Sequence, residues 1–201
     1  LRSCDAIVRP FKYIATPGVT FQQDLIGWSK ICKRIFVWDY TTNYRFYMAP
    51  MPNFHVLQDN LNFFIENGVT GMFEQGNGQS TSGEFGELRA YLISRIMWNP
   101  DTDVDMDMDE FLVGYYGMAA APIGTYIQLL TEHVAQADVH MGIYYDPRWY
   151  ITDELLEKAQ ALWDEAESLA ADADELFRIQ KSRLQLRYAQ LQRMALDNPL
   201  R

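Results

Sequence analysis

The chain has 201 residues, 17 basic and 27 acidic side chains, a net charge of −10 and 48% hydrophobic residues. That apolar share is globular and lies far from the composition of disordered chains. Residues 1–90 carry 8 basic and 8 acidic side chains and residues 91–201 carry 9 and 19, so neither half offers counter-charge to a nucleic-acid backbone or an anionic bilayer.

The first apolar run, Leu1–Val8, reads as a strand, and the helix after it places Phe21, Leu25, Trp28 and Cys32 on one face. A second run, Ile35–Tyr40, is β-branched and aromatic without alternation, the pattern of a strand buried on both faces. Its helix carries Leu57, Leu61, Phe64 and Ile65 and closes at Asn67-Gly68, residues that tolerate a left-handed cap. The third run, Val69–Glu74, enters a loop, Gly76–Gly83, and then a helix with Phe85, Leu88, Leu92 and Ile96 that ends at Asn99-Pro100. Strand–helix alternation with short connections predicts a parallel sheet. Three strands leave at least one edge to be covered by further sequence or by self-association.

From Pro100 onward the pattern is helical. The run Asp101 to Glu110 fails as a calcium loop, because Met106 and Leu112 stand where Gly and Glu are required. It reads instead as negative charge at a helix N-terminus. Phe111–Thr131 has no charged side chain, but its glycines and Pro122 predict two buried helices broken at Ala121-Pro122 rather than a membrane span. Thr152 caps a helix with Asp153 and Glu154 in its first turn, followed by a second, more basic helix, an antiparallel hairpin. The expected organisation is thus 1–99 for the strand–helix part, 100–150 for a helical extension and 151–201 for the hairpin. The chain begins at Leu1 rather than Met and reads as a piece of a longer protein, so its compartment is not legible from its ends.

Chemistry in parallel α/β architectures sits at the carboxyl ends of strands. There the sequence offers Asp5, then Trp38-Asp39-Tyr40 with Asn43, then Glu74-Gln75-Gly76-Asn77. Aromatic faces stack on sugar rings, amides and carboxylates bind hydroxyls, and a carboxylate pair is what glycoside hydrolysis needs. Asp39 and Glu74 are therefore the catalytic candidates, with Trp38, Tyr40, Asn43, Gln75, Asn77 and Asp5 as substrate-binding candidates. The bland reading of each carboxylate is a helix cap or an arginine partner. Gly78-x-x-x-x-Gly83 lacks the Lys-Ser/Thr of a phosphate loop, since Glu84-Phe85 follow it. No GxSxG motif occurs. His55, His133 and His140 are scattered and two cysteines are too few for a disulfide scaffold, so no metal or other cofactor is expected.

Trp28-Ser29-Lys30, Val37–Asn43, Pro50–Asn53 and Gly71–Gly76 come in an order that resembles a bacterial family of unknown function, itself similar to α-glucuronidase-like and family-20-like glycoside hydrolases. So do Glu87–Tyr91, Trp98-Asn99-Pro100, Glu110-Phe111 and Gly114–Gly117. The resemblance implies a (β/α)8 barrel, with residues 1–99 as three consecutive βα units of it. It further implies an N-terminal part of the barrel outside this chain, a fragment inactive by itself, and a parent that is exported. The leading expectation is a fragment of a glycoside hydrolase acting on a complex glycan. A non-catalytic carbohydrate-binding module and a structural or interaction piece built on the hairpin are the alternatives.

Overall fold

A computed structural model describes residues 21–78, 83–137, 139 and 141–197. α1 (Phe21–Ser29) precedes β1 (Ile35–Tyr40); a 3-10 turn at Phe54–Val56 leads into α2 (Leu57–Glu66), then β2 (Val69–Gln75) and α3 (Gly86–Trp98). β1 and β2 pair in parallel, in the register Val37↔Met72, Trp38↔Phe73, Asp39↔Glu74 and Tyr40↔Gln75. Gly68, at φ +76°, joins α2 directly to β2 through a backbone conformation that side-chain-bearing residues resist. Phe21 of α1 meets Phe64 of α2 edge to face at 5.9 Å, and Leu25, Ile35, Val37, Phe63 and Phe64 form a small core beneath the sheet. Trp28, expected on the buried face of α1, is exposed.

The remaining helices are α4 (Val104–Tyr116), α5 (Ala120–Gln136), α6 (Asp153–Ser168) and α7 (Ala173–Asp197). The acidic run opens α4: Asp103 Oδ1 accepts from Met106 N at 3.0 Å, and Asp107 accepts from Arg95 Nε at 2.9 Å and Thr102 Oγ1 at 2.7 Å. The break expected at Ala121-Pro122 falls earlier, at Gly117 (φ +55°) and a 3-10 turn through Ala119. Pro122 then stands in the first turn of α5, where its missing N–H costs nothing. Thr152 Oγ1 caps α6 by accepting from Leu155 N at 3.1 Å. α7 runs back along α6, with Arg183 reaching Asp164 (2.5 Å) and Glu167 (2.7 Å), and Arg193 reaching Asp153 (2.9 Å). One apolar cluster joins α2 to α7; at its centre the Trp163 ring lies 5.2 Å from Tyr126 and 6.1 Å from Phe85. No helix among the described residues is long and apolar enough to cross a membrane.

The expectation of three consecutive βα units of a (β/α)8 barrel is overturned. Among the described residues there is a single two-stranded sheet, and the chain is predominantly helical. The first expected strand, Leu1–Val8, lies outside the described residues. After α3, Asn99-Pro100 leads into another helix, as the helical pattern from Pro100 onward predicts. β1 is also not buried on both faces: Ile35, Val37 and Asp39 face the helices, while Phe36 is 67% exposed.

Candidate functional site

Side chains alternate across a strand, so the in-phase register of β1 and β2 divides the candidates between two faces. Asp39 and Glu74 occupy paired positions on the face covered by α2 and α3. Trp38, Tyr40 and Gln75 share the opposite face with Phe36 and Phe73. The residues expected to form one sugar pocket are thus back to back.

On the covered face, Asp39 is 6% exposed. Asp39 and Glu74 border a small cavity of about 10 Å³, lined also by Leu57, Asn60, Leu61, Ile93 and Ile96. This is close to the least space that holds one water molecule. Apolar walls penalise the charged form, and the neighbouring Asp39 penalises it again. Burial first and Asp39 second therefore push the Glu74 carboxyl well above the usual carboxylate range.

Glu74 also reaches the outside. Past the edge of β2 that no described strand pairs runs an open cleft of about 760 Å³, with Met72, Phe73, Glu74 and Gln75 along one wall and Ala90, Ile93 and Met97 of α3 along the other. Asn77 and the described ends of the loop, Gly76–Gly78 and Gly83, close one end. Asn77 packs so tightly there that a Cβ on Gly83 would stand 1.8 Å from its Nδ2. Lys181 of α7 donates to Glu87 of α3 at the rim.

A buried ionic cluster holds the start of α3. Arg89, 1% exposed, donates to Glu84 and to Asn53 Oδ1, and its guanidinium lies 4.5 Å over the Phe54 ring. Burial raises the Glu84 carboxyl while Arg89 opposes that shift. Between them Phe85 adopts φ +43°, a left-handed conformation that costs about 1–2 kcal/mol. Its ring is locked among Phe54, Tyr126 and Trp163. The cleft wall is therefore fixed by the same residues that anchor the helical core.

The match to known families falls on this region. The family model described as Domain of unknown function (DUF4838) matches residues 5–128, more than half of the chain. The chain belongs to the DUF4838 family. The matched DUF4838 region contains both strands, α2 to α4 and every cleft residue except Lys181. No curated protein and no solved structure matches the chain.

The other candidates separate by role. Asn43 is buried in a turn: its Oδ1 accepts from Arg45 N and Phe46 N, and its Nδ2 donates to Tyr145 O at 2.7 Å. Gln75 accepts from Trp38 Nε1 at 2.7 Å, which orients an indole that is 38% exposed. Tyr40 stacks on Trp38, with centroids 6.3 Å apart, and meets Tyr44 edge to face at 5.3 Å. His55 faces a separate acidic hollow with Asp101, Asp103 and Asp105. Asp5 lies outside the described residues. Glu84, Glu87, Arg89, Asn53 and Lys181 were not among the candidates. A signal existed for one of them: Arg89 falls on the apolar face marked by Phe85, Leu88, Leu92 and Ile96, where an arginine has to be paired.

Proposed function

We propose that this chain supplies one wall of the sugar-binding cleft of a glycoside hydrolase acting on a complex glycan, with Glu74 as the proton donor. The observation that carries the reading is the Glu74 carboxyl at the wall of an open cleft, its pKa raised by burial and then by Asp39. In this reaction the Glu74 proton passes to the bridging oxygen as the anomeric C–O bond breaks, and the leaving sugar departs as an alcohol. Water adds to the anomeric carbon, and the proton it releases restores Glu74. Asp39, shut behind the strand, acts through Glu74 as its electrostatic partner. The second carboxylate of the reaction is then contributed from beyond this wall. In this reading Gln75, which lines the cleft, binds sugar hydroxyls, and Phe73 beside it lies against a ring face.

In the whole protein, Glu74→Gln is expected to lower turnover of aryl glycosides by about 10²–10⁴-fold while oligosaccharide binding persists. Unchanged turnover would remove Glu74 from the chemistry. A second reading, carbohydrate binding without cleavage, is favoured by the exposed aromatic row Phe36, Trp38 and Phe73 on the other face. Sugar binding that survives Glu74→Gln, is lost in Trp38→Ala and comes with no turnover in any variant would select it.

A further inference from the structure

We infer that the outer face of α7 is a docking surface for a second copy of this chain, the two α7 helices lying antiparallel across a two-fold axis at Leu184. α7 is apolar on two opposite faces. Ile179, Leu186 and Ala189 are buried on the inner one. On the outer one, Phe177, Gln180, Leu184, Arg187, Leu191 and Met194 follow one another at alternating spacings of three and four, the seam of a helix that pairs with another helix. Phe177, Leu191 and Met194 are each at least 64% exposed, and Leu184 is exposed between them. A helix that packs on one side only carries polar residues on the other. Here four large apolar side chains share one outward row, about 26 Å long at ~1.5 Å per residue. A contiguous row of this kind marks an interaction surface, whereas apolar residues scattered singly do not.

The row itself identifies its occupant. It is symmetric about Leu184, with Phe177 seven positions before and Leu191 seven positions after. A two-fold contact needs a surface complementary to itself. Rotation about Leu184 supplies it: Leu184 meets Leu184, and Phe177 of each copy meets Leu191 of the other. Charge selects the direction. Arg187 is exposed, and its described partners are the amide oxygens of Gln160 and Gln190, both at 3.3 Å. Parallel helices would set Arg187 against Arg187 and Asp174 against Asp174. Antiparallel helices part the two arginines by about 9 Å along the axis. Each then stands at the height of position 181 of the other copy, beside Asp164 and Glu167 of α6, the carboxylates that hold Arg183. Opposed helix dipoles favour the same direction. The contact is short, so association in the micromolar range is expected.

The experiment is sedimentation equilibrium of the protein from about 1 to 200 μM, where a monomer–dimer equilibrium is expected. Leu184→Glu sets two carboxylates against each other on the axis. It is expected to weaken the dimer by about tenfold or more and, because Leu184 is exposed, to leave the unfolding midpoint in place. Direction is read by cross-linking with a short bismaleimide, with the wild type and its Cys4 and Cys32 as the baseline. Phe177→Cys and Leu191→Cys proteins are expected to cross-link when mixed and to stay near baseline when alone, and Leu184→Cys to cross-link to itself. A protein that stays monomeric throughout the range overturns the inference and leaves the row to a different partner. A dimer that Leu184→Glu leaves intact overturns it too, since the contact then lies elsewhere. Phe177→Cys linking to itself as readily as to Leu191→Cys would overturn the antiparallel pairing.

Discussion

The helical part and the two-stranded sheet use aromatic residues in opposite ways. Trp163, Tyr126 and Phe85 interlock at the centre of the helices, each no more than 2% exposed. On the sheet, Phe36, Trp38 and Phe73 stand on a face that no described helix covers, although parallel strands ordinarily have both faces buried. The helices supply the apolar burial that keeps the chain folded, whereas the sheet presents aromatic rings that no described helix covers. Trp163→Ala is the largest test of this division: it is expected to cost roughly 3–5 kcal/mol in denaturant unfolding, whereas Phe36→Ala is expected to cost less than about 1 kcal/mol. Equal losses would mean that the bare sheet face is as firmly packed as the helical core.

The two regions meet at Arg89, which reaches from α3 to Glu84 before the helix and to Asn53 after β1. Arg89→Met leaves the Glu84 carboxyl buried without its cation, and the expected loss is about 3 kcal/mol. Adding Glu84→Gln removes the stranded charge and should recover at least half of that loss. A double variant no better than the single one would show that the guanidinium acts through Asn53 and the Phe54 ring instead, and that the join is not ionic.

How much of this was legible in the sequence follows from which signals are local. The helix periodicities of α2 and α3, the Thr152 cap and the Asn67-Gly68 stop depend on neighbours in the chain, and each stands in the structure. The barrel did not follow, because the described residues hold two of the three expected strands, Leu1–Val8 lies outside them, and the main core is built between helices α2 to α7 instead of inside a ring of strands. The shape of the site was hidden for a different reason. Trp38 and Asp39 are adjacent in sequence, and adjacency in a strand places side chains on opposite faces. Glu74 and Asp39 were brought together by register, and register depends on residues 35 positions apart. Lys181 was out of reach for the same reason, since its partner Glu87 lies 94 positions away.

The smallest effect tests the buried proton itself. The folded protein holds Glu74 protonated at a pH where the unfolded chain, with an ordinary carboxylate pKa of about 4.3, has released that proton. Because the folded state then binds more protons than the unfolded one, stability falls as pH rises from the ordinary value to the raised one, and is level above it. Glu74→Gln cannot titrate. The variant is therefore expected to lose this part of the pH slope and to unfold later than the wild type at neutral pH, by a margin on the order of 1 kcal/mol. Asp39→Asn sharpens the assignment of cause. Burial contributes more than Asp39 to the shift, so removing the Asp39 charge should flatten the slope only in part and leave Glu74 titrating above the ordinary range. If instead Asp39→Asn abolished the slope as completely as Glu74→Gln, the shift would be electrostatic, and the apolar walls supplied by Leu57, Leu61, Ile93 and Ile96 would have no part in holding the proton.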